Sequence, residues 1–197
     1  MSDRIALLLP RAFYRRPAIE VARELLGCVL VHRDDGVVRA GRIVETEAYV
    51  GPHDLACHAS KGRTARTEVM FGDAGHAYIY LIYGMYDCFN AVTDRDGYPS
   101  AVLVRALSPI EGCVGATDGP GKLCRALHLT RARNGDDLTT GARLFIEQGA
   151  KVATRAIAKG PRIGVDYAGA WAARNLRFWI KDEPWVSRVD AALRRRR

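Results

Sequence analysis

The chain has 197 residues, enough for one core of good size and short for two, so it reads as a single domain over 1–197. Hydrophobic residues make up 48% and charged residues 26%, the balance of an ordinary folded domain, and no apolar run approaches the roughly 18 to 20 residues that cross a bilayer. No membrane partner is expected for want of such a run, and thirty Lys and Arg against 22 Asp and Glu leave a net charge of +8, which puts nucleic acid first among partners.

The first residues have neither a signal peptide's apolar core nor its small-residue cleavage site, so the chain is expected in the cytoplasm. Pro17 and Gly27 bracket a short amphipathic helix with apolar positions at Ile19, Val21, Ala22, Leu25 and Leu26. "CVLVHR" and "VVRAGRIVETEAY", joined by Asp34-Asp35-Gly36, predict an antiparallel hairpin whose second arm sets Glu45, Glu47 and Tyr49 on one face. Residues 51–76 hold no period and predict a long loop, the kind of segment that binds or closes over a ligand. It carries His53, His58, Lys61, Arg63 and Arg66.

"AYIYLIYGMYDCFNAVT" and "AVLVRALS" predict further strands, with Gly84 as a bend or bulge, and "GPGKLCRALHL" opens a helix. Strands follow at "RLFIEQG", "RIGVDY" and "LRFWIKD", with a helical turn near Gly169 to Ala173. Arg194 to Arg197 read as a disordered basic tail. Strands dominate and never alternate regularly with helices, so the expected class is α+β: a curved, largely antiparallel sheet with a few flanking helices. No G-x-G-x-x-G follows a strand, which removes a Rossmann cofactor site. The five cysteines are irregularly spaced without a C-x-x-C pair, so buried thiols are expected rather than disulfides or a metal site.

Tyr78, Tyr80, Tyr83 and Tyr86 crowd into nine residues. Sheet interior explains such a cluster, and so does a stacking surface for nucleobases, which the neighbouring cations favour. Glu47 is open in the same way, as a solvated or ion-paired strand carboxylate, or as an acid gathered with imidazole and aromatic groups at a strand end. His53 is read as a surface residue.

Together "ETEAY", "YIYLIYGMY" with its following "CFN", "VLVRALSP", "GPGKLCRAL", "RIGVDYAGAW" and "LRFWIKDEPWVSR" span most of the length. In this order they resemble the alkyladenine (3-methyladenine) DNA glycosylase family of base-excision repair enzymes. The resemblance implies that Glu47 activates the water that attacks the sugar C1′, with Arg105 beside it. Tyr49, His58 and Tyr80 would enclose an extruded base, and Asn90 would stand where it clashes with the amino group of normal guanine. Tyr83 would be the wedge pushed into the vacated duplex, with Met85 packed nearby. No metal, organic cofactor or Schiff base is implied; the reaction is monofunctional, on double-stranded DNA holding damaged purines, by a monomer associated with the nucleoid if the source is bacterial. The residues themselves add Lys122 and Gly121, at a helix start, as candidate phosphate contacts. A lesion sensor with little catalysis, and a nicking enzyme using Lys61 or Lys122 as the amine, are the competing readings. Relatives commonly carry T-P-R-N where this chain has Thr64 to Thr67, and a longer segment than Cys113 to Gly119.

Overall fold

The computed structural model describes residues 7–187, and the Arg194–Arg197 tail lies outside the described residues. The first hairpin pairs β1 (Val29–Asp34) with β2 (Val37–Tyr49) across a two-residue turn. Asp35 and Gly36 both take positive φ, 47° and 77°, the mirror-image turn whose twist suits a hairpin and which Asp-Gly favours. The sheet continues through β3 (Ala77–Ile82), β4 (Tyr86–Thr93), β5 (Ser100–Glu111), β6 (Leu144–Glu147), β7 (Ile157–Gly160) and β8 (Arg177–Ile180). Its order is β3-β4-β5-β2-β1-β6; β8 pairs with β2, and β7 with β8. Every strand pair among the described residues is antiparallel. With three short α-helices among the described residues, the first of them α1 (Arg11–Tyr14), the class is the expected α+β.

β2 positions the chemistry. Its first half pairs with β1, and Glu45 to Glu47 pair instead with β8, while β5 follows its other edge throughout. The β2–β5 register shifts on both sides of Glu45, a bulged stretch of the kind that bends a strand and re-aims its side chains. Helix α2 (Ala18–Glu24) covers the opposite face, where the Thr46 hydroxyl donates to the Ala22 carbonyl at 2.7 Å. Val21, Ala22, Leu25 and Leu26 are buried there, but Ile19, counted among the apolar positions, is 40% exposed on the solvent side.

One expectation about elements needs correction. Residues 162–167 are not a strand: Gly164 has φ +76°, and a 3₁₀ turn begins at Asp166. The Ile163 N–H goes to a side-chain carboxylate instead of a ladder carbonyl, so backbone pairing is satisfied outside the sheet. The strand in this region is β7, which had no alternating pattern to reveal it. Residues 51–76 are a long loop as expected, but one packed in part: Lys61 to Arg66 are exposed, while the flanking stretches are anchored. The loop contains 3₁₀ turns at His58–Lys61 and Glu68–Phe71, and Cys57, Ala59 and Met70 form a small core with Tyr78, Val92 and Ala101. The cysteines are free thiols, all buried except the half-buried Cys113.

Candidate active site

Glu45 and Glu47 are both fully buried, a costly place for charge unless each is paired and hydrogen-bonded. Arg105, on β5, lies between them, with Nη1 3.3 Å from Glu47 Oε1 and Nε 3.4 Å from Glu45 Oε1. Burial alone would lower the Arg105 pKa, but Glu47 and then Glu45 outweigh it and raise it. The two acids then part company. Glu45 accepts Arg177 Nη1 at 2.9 Å and the Ser187 N–H at 2.8 Å, contacts that tie β8 and the chain beyond it to β2. Glu47 accepts the Tyr49 hydroxyl on Oε2 at 2.9 Å and the Ile163 N–H on Oε1 at 2.8 Å.

Those contacts of Glu47 face a cavity of about 650 Å³, within the range of small-molecule sites. Tyr49, His58, Tyr80, Asn90 and Arg105 all line it, and Glu47 stands immediately behind Tyr49, Ile163 and Arg105. His58 meets Tyr80 edge-on, with ring centroids 4.5 Å apart at 78°, and its Nδ1 is 2.9 Å from the Tyr78 hydroxyl. Burial, then the cations Arg66 and Lys61, push its pKa down to about 4, so the imidazole is neutral at pH 7. Asn90 donates Nδ2 to the main-chain carbonyls of Tyr78 and Cys88, which fixes the amide against the wall.

The tyrosine cluster divides. Tyr78 is buried and lines the cavity with Tyr80 and Tyr86, and Tyr83 is 80% exposed at the tip of the β3–β4 hairpin beside Met85, 69% exposed. Tyr83 reaches the cavity mouth as well. Gly121 and Lys122, in α3 (Pro120–Ala126), line the outer end. A Cβ on Gly121 would fall 2.8 Å from Tyr86 Cβ, so close packing calls for glycine there whatever the backbone binds. The Lys122 ammonium is 3.1 Å from Asp118. His53 stays at the surface, edge-on to Trp171.

The segment that supplies Ile163, Gly164, Val165 and Tyr167 to the cavity, together with Arg125, escaped the sequence reading of the site. Ile163 acts through its backbone, and it lies more than a hundred residues from Glu47. An apolar side chain gives no local signal of that kind.

The sequence profile of the methylpurine-DNA glycosylase (MPG) family matches residues 12–184. The chain belongs to this family. The glycosylase is 58% identical over 190 residues to a protein of Myxococcus xanthus, covering 95% of this chain and 97% of that one. It is 54% identical to one from Methanocella arvoryzae, covering 92% and 96%, and 53% identical to one from Legionella pneumophila strain Corby, covering 92% and 98%. All three are provisionally named 3-methyladenine DNA glycosylases. The glycosylase is thus an enzyme of alkylated-base repair, a hydrolase of the N-glycosidic bond.

Proposed function

We propose that the cavity receives an alkylated or deaminated purine turned out of duplex DNA, and that water activated by Glu47 hydrolyses its N-glycosidic bond, leaving an abasic site. The observation that carries this reading is the convergence of Tyr49, His58, Tyr80, Asn90 and Arg105 on one cavity, with Glu47 fixed directly behind. A carboxylate oxygen accepts two hydrogen bonds, and Tyr49 supplies one to Oε2, so a lone pair is left to hold and deprotonate a water. General-base help of this kind is typically worth about 10² to 10⁴ in rate. The same negative charge stabilises an oxocarbenium-like sugar as the base departs.

Extrusion costs a few kcal/mol, least for a base whose pairing is already damaged. Stacking at about 1–3 kcal/mol per ring offsets it, and a cationic methylated purine gains about 0.5–2 kcal/mol more against aromatic faces. Tyr49, His58 and Tyr80 supply those faces. Asn90, immobilised by two carbonyls, cannot turn aside for the 2-amino group of guanine. Tyr83 fills the space left in the duplex, with Met85 beside it. Lys122 and the Gly121 backbone meet a phosphate; Lys122 leaves Asp118 at small cost because an exposed ion pair is worth at most about 1 kcal/mol.

The reaction is monofunctional and uses no metal or organic cofactor, and the protein acts as a monomer where the DNA is, on the nucleoid in a bacterial cell. Incubation with a methylated duplex should release free 3-methyladenine and leave a strand that breaks only after alkali. Borohydride should trap no covalent adduct. Absence of any freed base, or an adduct through Lys61 or Lys122, would overturn the reading.

A further inference from the structure

We infer that Arg162 is a positioning residue for the reaction, setting both the carboxylate of Glu47 and the ring of Tyr49 through one guanidinium. The inference rests on the role proposed for Glu47. Arg162 is 5% exposed and does not line the cavity, so it has no contact with anything bound there. Its Nη1 and Nη2 each donate to one oxygen of Asp54, a two-pronged ion pair whose side chains are both fully buried. Nη1 also donates to the Ala48 carbonyl at 2.9 Å, and the guanidinium carbon stands 4.7 Å from the centre of the Tyr49 ring. The next backbone N–H, that of Ile163, is the one that holds Glu47 Oε1 at 2.8 Å.

Three separate stretches therefore meet on one cation: the end of β2, the turn at Asp54 and the segment after β7. Asp54 carries the set further, because its carboxylate accepts the N–H of Ala56 at 3.1 Å, fixing the turn that leads to His58. A guanidinium suits this place as an ammonium does not. It is planar, so it can lie over a ring and offer parallel donors in the same plane, whereas lysine is a point charge. Displacing Arg162 would leave the acid and its partners present but out of register with the sugar.

The test is single-turnover release of 3-methyladenine from a methylated duplex at saturating enzyme, with affinity for an abasic-site duplex measured separately by fluorescence anisotropy. Arg162→Lys should slow release by about tenfold to a hundredfold, the penalty of displacing a catalytic group by an ångström or less, and leave affinity within about threefold. Because part of its effect runs through Glu47, adding Arg162→Lys to Glu47→Gln should slow the residual rate less than Arg162→Lys slows the wild type, leaving only the part that runs through the Tyr49 ring. A merely structural ion pair would slow both backgrounds alike. Thermal unfolding checks that each variant is folded at the assay temperature, and Asp54→Asn carries the same predictions should the lysine variant unfold. Release at the wild-type rate by Arg162→Lys, or equal slowing in the Glu47→Gln background, would overturn the assignment. If the wild type itself freed no base, the functional reading would fail first.

Discussion

His58 joins stability to pH at the level of one residue. Its pKa is 6.5 in a free chain and about 4 when folded, so the unfolded chain takes up the proton first as pH falls. The stability this difference contributes is complete above about pH 6.5 and is lost progressively down to about pH 4; the shift corresponds to up to about 3 kcal/mol. Urea unfolding at pH 7 and at pH 4.5 should therefore show the gap between wild type and His58→Gln narrowing toward the acid side. A gap that stays constant would mean that His58 titrates normally. The neutral imidazole also suits the proposed wall, since a cationic methylated purine would be repelled by a protonated one.

At the level of elements, the β3–β4 hairpin carries a strain that its sequence does not need for folding. Tyr83 sits at φ +53° and Gly84 at φ +69°, a turn whose first position ordinarily takes Asn, Asp or Gly. A tyrosine held there costs on the order of 1 kcal/mol and, at 80% exposure, regains little by packing. Such an outlier points to function, here the wedge. Tyr83→Asn should leave stability to urea unchanged or raised by up to about 1 kcal/mol, while weakening base release at limiting enzyme about fivefold or more, the lower end of one lost stacking contact. Loss of stability together with unchanged release would contradict it. The sequence made this hairpin legible through Gly84 and alternating aromatics, as it did the first hairpin through Asp35-Gly36. It did not reveal the 162–165 segment. There the apolar alternation of "RIGVDY" imitates a strand, and what overrides it is an ion pair with Asp54 formed across 108 positions of sequence. The acids divide in the same way: the sequence reads Glu45 as structural and singles out Glu47 with Tyr49, and what it could not name is the pair of partners, Arg177 and the Ser187 N–H, that Glu45 holds across the sheet.

For the molecule as a whole, the net charge of +8 should be felt as phosphate affinity. Each phosphate neutralised releases counterions, so an interface of six or more such contacts loses about a thousandfold in affinity between 50 and 200 mM salt. Anisotropy titrations on undamaged duplex should fall steeply over that range, and a flat response would contradict a phosphate-led interface. Steep salt dependence alone would leave the chemistry untested, because a lesion sensor would share it. What separates an enzyme from a sensor is the buried acid. Glu47→Gln, assayed in a single turnover on methylated duplex alongside its affinity for an abasic-site duplex, should bind within about threefold of wild type and release base at least about a hundredfold more slowly. Near-normal release by that variant would contradict the role given to Glu47.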